Sequence, residues 1–142
     1  MNYPGSALCL AFLLTMGCRD VQDLASLGAA LNEQYPNSPV SVSLTDGLIL
    51  TVTVADSALA VASCESQAAV AMRIAESVRD NYGGFRSIDI ISIAFAPRVG
   101  VRATVTATAL PTRFARTLVS GGLTGADSVK AVESCKAWRE LQ

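Results

Sequence analysis

Residues 40–54 read VSVSLTDGLILTVTV, in which apolar and polar side chains alternate on both sides of Asp46-Gly47. Alternation with period two is typical of a strand with one buried face, and Asp-Gly is a strong signal for the tight turn of a hairpin. The stretch therefore predicts two antiparallel strands. Their buried faces would carry Val40, Val42, Leu44, Leu50, Val52 and Val54.

An amphipathic helix is predicted directly before this hairpin. Apolar residues recur at steps of three and four over residues 20–35, which places them along one side of a helix. They are Val21, Leu24, Leu27, Ala30 and Leu31. Pro36 and Pro39 end the helix, because proline lacks a backbone N–H and biases the preceding residue towards an extended conformation.

A second helix is predicted after the hairpin. It begins at Ala58 or at Ser66 and runs to Tyr82, with Met72, Ala75 and Val78 among its apolar positions. The glycine pair that follows ends the helix, because glycine reaches a positive φ without a Cβ clash.

Two more strands and a last helix complete the expected order. The strands are predicted at residues 87–96 and 101–110, with a turn at residues 97–100. Residues 112–125 are glycine-rich and predict a mobile link. Residues 127–141 predict a C-terminal helix with an aspartate near its N-cap.

This order predicts a two-layer α/β sandwich of the α+β class. Its four-stranded, antiparallel-rich sheet would come from two hairpins, with helices on one face. The repeated order of helix, strand and strand suggests an αββ duplication followed by the C-terminal helix. The other face of the sheet would be polar, as is usual for a one-sided antiparallel sheet. It would carry Ser41, Ser43, Thr51, Thr53, Thr104, Thr106 and Thr108.

An uncharged apolar run occupies residues 7–16, and the charged pair Arg19-Asp20 closes it. This length matches the h-region of an export signal, whereas a membrane-spanning helix requires about 20 apolar residues. The segment LTMGC, residues 14–18, resembles the lipobox of bacterial lipoproteins, in which a small residue precedes a cysteine that is acylated after cleavage.

The resemblance implies a signal peptide at residues 1–17 and a single globular domain at residues 18–142 that is anchored to the membrane through lipid on Cys18. The protein would be exported to the bacterial envelope, facing the periplasm or the exterior. A buried N-terminal helix with a chance Gly-Cys pair, or cleavage at an ordinary secretory site, is the alternative. Removing 17 of the 142 residues leaves 125, which suffices for one domain with a core.

Cysteine usage fits export. Cys9 would leave with the signal and Cys18 would carry lipid, so that Cys64 and Cys135 remain. Two thiols in an oxidising compartment predict a disulfide. Two separately buried thiols are the alternative.

Charge is distributed unevenly along a chain whose formal net charge is -1. Between Arg19 and Arg73 there are six acids and no base, and four arginines lie between Asp89 and Asp127 with no acid among them. This pattern predicts that the two halves interleave in the fold and their charges offset on a solvated surface; the alternative is a contact surface for an anionic group or partner, formed by the arginines. They are Arg98, Arg102, Arg113 and Arg116.

The chain contains no histidine, which excludes Ser-His-Asp and Cys-His catalysis and any zinc site with histidine ligands. No dinucleotide-binding, Walker A or EF-hand motif occurs. No catalytic residue, cofactor or metal is therefore expected, and the near-neutral charge argues against nucleic acid as a partner.

These observations predict a non-catalytic interaction or structural module of the bacterial envelope, attached to the membrane by its N-terminal lipid. Its partner would be an envelope protein or an anionic surface. A small-ligand-binding lipoprotein is the alternative, and it would require a pocket with a few convergent polar groups. A carboxylate-dependent hydrolase would require two acids facing each other in a cleft.

Overall fold

A computed structural model describes the backbone of residues 7–98 and 111–141, and the side chains of residues 19–98 and 111–141. Within these ranges the chain forms five α-helices, one short 3₁₀ turn and four strands. In chain order they are α1 (Ala7–Gln34), β1 (Val40–Thr45), β2 (Ile49–Ala55), α2 (Ser57–Ala60), α3 (Cys64–Asn81), the 3₁₀ turn (Phe85–Ser87), β3 (Ile90–Ala96), β4 (Thr112–Ala115), α4 (Arg116–Gly121) and α5 (Gly125–Glu140).

The first hairpin forms as predicted. β1 and β2 are antiparallel, with Val40 opposite Val54 and Leu44 opposite Leu50. Asp46 and Gly47 adopt φ values of 53° and 70°, and the Leu48 N–H donates to the Thr45 carbonyl at 3.0 Å. Asp-Gly suits this turn because aspartate and glycine tolerate positive φ better than most residues.

The pairing of β3 differs from the predicted topology. The strands are ordered β1-β2-β3-β4, and β3 pairs with β2 in parallel, so that the sheet is mixed rather than antiparallel-rich. Parallel neighbours require a long crossover connection, and α3 supplies it. Every residue of β3 from Ile91 to Ala96 is buried, which is typical of a parallel strand inside a sheet.

β4 lies where a mobile link was predicted. It pairs antiparallel with β3, and Phe114 is buried opposite Ile91. Residues 112–125 therefore contain a strand, a short helix and the start of α5, not a structureless link. The strand predicted at residues 101–110 lies outside the described residues, as do Thr104, Thr106 and Thr108.

α3 begins at Cys64, between the two predicted starting points, Ala58 and Ser66. α2 and α3 are separate helices, capped by Asp56 and Ser63 respectively, and the Ser63 hydroxyl accepts from the Ser66 N–H at 3.2 Å. α3 ends at Asn81, and Tyr82 is its C-cap.

The core lies between the sheet and the helices α1 and α3, as predicted for a two-layer α+β fold. Leu27 and Leu31 of α1 and Ile74 and Val78 of α3 are fully buried. The apolar face of the sheet completes the same cluster with Leu50, Val52, Val54, Ile91, Ile93 and Phe95. On the other face Ser41 and Ser43 are exposed, Thr51 and Thr53 are half-buried, and Ser92 and Ala94 are buried.

α5 packs along α3 with little apolar burial, since Ala131 is its one buried residue among those described. Polar and covalent links fasten it instead. The sulfur atoms of Cys64 and Cys135 lie 2.07 Å apart, at disulfide distance, in agreement with the predicted pair. Lys136 Nζ lies 2.7 Å from a Glu65 carboxylate oxygen, and an Arg139 Nη2 donates to the Ala62 carbonyl.

We expect the double substitution Cys64→Ser and Cys135→Ser to lower the free energy of unfolding by about 4 kcal/mol, because the link closes a long loop and restricts the unfolded chain. Urea unfolding of the oxidised wild type and the variant measures the difference. Wild type reduced with dithiothreitol is the matched control and should unfold with the variant. Equal midpoints for oxidised and reduced wild type would contradict the prediction.

Candidate binding cleft

Of the four arginines singled out in the sequence, the three that the structure describes do not form one surface. Arg98 follows the C-terminal end of β3, whereas the Arg116 N–H donates to the Asp89 carbonyl at 2.9 Å, just before β3 begins. The seven residues of β3 span about 23 Å, so that Arg98 and Arg116 lie at opposite ends of the sheet. Arg102 lies outside the described residues.

Arg98 belongs to a corner where β2, α2 and β3 meet. Its backbone N–H donates to the Ser57 hydroxyl at 2.8 Å, and its Nη2 donates to the Asn37 carbonyl at 3.0 Å. These groups and Asp56 line one shallow cavity of about 210 Å³. Arg98 thus ties the end of β3 to the chain segment that precedes β1.

Asp56 organises the same corner. One carboxylate oxygen accepts from the N–H groups of Ala58 and Leu59 at 2.9 and 3.0 Å, which caps α2. The other accepts from the Ser38 hydroxyl at 2.5 Å. These hydrogen bonds, that from Ser38 above all, hold the pKa of Asp56 below its ordinary value. The hydrogen bonds of this corner join α2, the end of β3 and the segment before β1.

Arg113 has different surroundings. It is exposed on β4 and lines a cleft that also receives Lys130 of α5. This β4–α5 cleft has a volume of about 300 Å³. Its lining includes Arg113, Phe114, Leu118, Asp127, Lys130 and Ala131.

Individual residues of β4, α4 and α5 explain how the elements around the cleft are positioned. Phe114 is buried in the core and so fixes β4, the edge strand that also carries the exposed Arg113. Gly122 at φ 89° ends α4 and turns the chain towards α5. α5 then begins at Gly125, after its N-cap Thr124, and lies against both α3 and β4.

Asp127 is the one acid among the described lining residues, and it accepts hydrogen bonds from the N-cap residue of α5. One of its carboxylate oxygens accepts from the Thr124 N–H at 2.9 Å and from the Thr124 hydroxyl at 2.8 Å. The backbone hydrogen bond, followed by the hydroxyl, lowers the pKa of Asp127. Asp127 is therefore ionised at neutral pH, and with Arg113 and Lys130 it leaves the cleft a net charge of one positive.

The cleft combines two cations with an apolar floor of Phe114 and Ala131, beside the half-exposed Leu118. A guanidinium binds a carboxylate through two parallel hydrogen bonds, and an ammonium adds a point charge. The arrangement therefore suits a carboxylate next to an apolar group. Among the described residues, no group of three or more acidic or cysteine side chains could hold a metal ion.

Lys130 and Phe114 were not identified as site residues from the sequence. Lys130 is 17 positions after Arg113, and nothing local to either residue indicates that β4 and α5 lie side by side. The pair of cysteines is the one feature of the sequence that could have indicated the position of α5, because a link from Cys64 to Cys135 requires α5 to lie along α3.

No family model, no curated protein and no solved structure matches this chain. Within the residues searched, no helix is both long and apolar enough to cross a membrane.

We expect Asp56→Ala to lower the free energy of unfolding by about 1–2 kcal/mol at neutral pH, through loss of the α2 cap and the Ser38 hydrogen bond. A pKa that is lower in the folded chain stabilises the fold above the ordinary aspartate value of about 3.9, and this contribution is lost as the pH falls through the folded pKa. Urea unfolding across the acidic range should show wild type and variant converging at low pH.

Asp89→Ala is the control for this experiment, since within the described chain the Asp89 side chain makes no hydrogen bond. We expect a small effect of this control at every pH. A constant difference between wild type and Asp56→Ala down to strongly acidic pH would contradict the role given to the ionised carboxylate.

Proposed function

We propose that this protein is a lipid-anchored, extracytoplasmic binding module of the bacterial envelope, and that its β4–α5 cleft takes an acidic segment of a partner protein. The observation that carries the proposal is the presence of Arg113 and Lys130 on two different elements around one cleft with an apolar floor. Its function is binding and not catalysis.

Support for the anchor comes from the N-terminal segment. LTMGC at residues 14–18 resembles a lipobox, and Cys18 lies within α1, five residues before Asp23. Acyl chains contribute about 0.8 kcal/mol of membrane affinity per buried methylene, and more than one chain makes attachment stable. The disulfide distance between Cys64 and Cys135 fits an oxidising compartment outside the cytoplasm.

An acidic protein segment fits the cleft better than a fully enclosed ligand does. Arg113 and Lys130 are exposed, so they can meet carboxylates on a surface that approaches from solvent. Leu118, 46% exposed, offers apolar contact in the same lining, next to the nearly buried Phe114 and Ala131. Aromatic and apolar anchors flanked by charged groups are the usual pattern of a small protein interface.

A small carboxylate ligand is the second candidate, because a volume of about 300 Å³ reaches the lower limit of ligand pockets. A carboxylate-dependent hydrolase finds no comparable support, since the described lining of the cleft offers Asp127 alone among acids and Thr124 already occupies it.

Labelling with radioactive palmitate tests the anchor. We expect the wild-type protein to incorporate label in a host that processes lipoproteins, and Cys18→Ala to incorporate none and to leave the membrane fraction. Cys9→Ala is the matched control, because Cys9 would be removed with the signal, and it should be labelled like wild type. Unlabelled wild type would contradict lipid attachment.

Titration of the isotope-labelled protein with a peptide of alternating glutamate and phenylalanine tests the cleft. We expect chemical-shift changes in residues 112–118 and 127–134. Arg113→Ala and Lys130→Ala should each weaken binding about fivefold, which corresponds to roughly 1 kcal/mol per exposed charge pair. Arg86→Ala, an exposed arginine outside the cleft, should bind like wild type.

Benzoate in the same titration separates the two candidates. Affinity for benzoate equal to that for the peptide would favour the small-ligand function, and weaker binding would favour the protein partner. Shift changes spread over the whole surface, or unchanged affinity in both cleft variants, would contradict the cleft as the binding site.

A further inference from the structure

α1 connects the anchor to the core without a flexible linker. Its backbone is helical from Ala7 to Gln34, and Leu27 and Leu31 are fully buried. Contact with the rest of the domain begins near Asp23, whose carboxylate packs so closely on Gly83 that a Cβ there would lie 2.7 Å from Asp23 Oδ2. Residues 19–22 are exposed, so that about one helical turn separates Cys18 from the docked part of the helix.

The tip of the first hairpin, Asp46–Leu48, lies towards the same end of the domain as Cys18. α1 and β1 run in opposite directions, because Asn32 exchanges hydrogen bonds with Val40 while Gly28 lies near Val42. From Gly28 to Cys18 the helix rises about 15 Å, and from Val42 to Asp46 the strand extends about 13 Å.

Two backbone hydrogen bonds bring other segments to this end of the domain. The Asp89 N–H donates to the Leu48 carbonyl at 2.8 Å, and the Arg116 N–H donates to the Asp89 carbonyl at 2.9 Å. The starts of β2, β3 and α4 therefore share one end with the first exposed turn of α1.

We infer that this end of the domain faces the bilayer, so that the hairpin tip lies at the level of the lipid head groups. The inference rests on the proposed lipid anchor at Cys18 and adds to it a fixed orientation. A helical tether of one turn cannot let the domain tumble freely. Leu48, 47% exposed at the tip, and Val21, 67% exposed on α1, are the apolar side chains that this orientation brings to the membrane surface.

The proposed orientation does not depend on attraction between charged residues and the membrane. Three arginines and four aspartates are exposed or half-buried at this end among the described residues, so neither sign dominates. They are Arg19, Arg86, Arg116, Asp20, Asp23, Asp46 and Asp89. Orientation should therefore be the same on zwitterionic and anionic membranes, unlike that of proteins held by a basic patch.

Position-specific fluorescence tests the orientation. The acylated full-length product carries an environment-sensitive fluorophore on Leu48→Cys at the tip or on Val61→Cys, which is 80% exposed beyond the far end of β2. Each protein is reconstituted in phosphatidylcholine vesicles that contain nitroxide-labelled lipid. We expect several-fold stronger quenching at position 48 than at position 61, and the same contrast after phosphatidylglycerol is added.

Insertion of a flexible Gly-Ser linker of about 20 residues between Cys18 and Arg19 is the matched control, because it keeps the lipid and removes the rigid connection. Quenching at position 48 should then fall to the level of position 61. Equal quenching at both positions with the native connection would overturn the orientation while Cys18 remains acylated. A mass spectrum that shows unmodified Cys18 would overturn the anchor and the orientation together.

Discussion

The packing of α3 against the parallel pair β2 and β3 is the interaction on which the rest of the structure depends. α3 is the connection that makes these strands parallel, and its apolar side covers them both. α1 lies beside α3 on the same face of the sheet, and α5 lies along it. Every other element of the described chain is thus placed relative to this unit. The full burial of Ile74 and Val78 reflects that central position.

The sequence predicted those parts of the fold that a local pattern specifies. The alternation around Asp46-Gly47 determined the first hairpin and its faces, and the apolar stripe that includes Leu27 and Leu31 identified the docked part of α1. Alternation reports which side chains share a face, but not the direction of the neighbouring strand. The parallel pairing of β3 was missed for that reason, although its continuous apolar sequence is the pattern of a strand buried on both faces.

β4 and the cleft could not be predicted, because each depends on contacts between distant segments. A strand of four residues with Phe114 as its one buried side chain has no periodicity to detect. Arg113 was identified from charge, yet its association with Lys130 requires α5 to lie beside β4. α5 itself has almost no apolar face to specify its position. Its location is held by the link between Cys64 and Cys135 together with the polar contacts of Lys136 and Arg139, so the geometry of the cleft depends in part on the oxidation of these cysteines.

The bond between these cysteines has a consequence for the connectivity of the chain. It encloses α3, β3, β4 and α4 in one covalent ring, since its two ends are 71 positions apart, while α1, β1 and β2 precede the ring. A protease that cuts the backbone once inside the ring opens it, but the two fragments stay joined through sulfur. The fragment with α5 is then not lost by diffusion, and the domain can survive a nick that would dismantle an uncrosslinked chain.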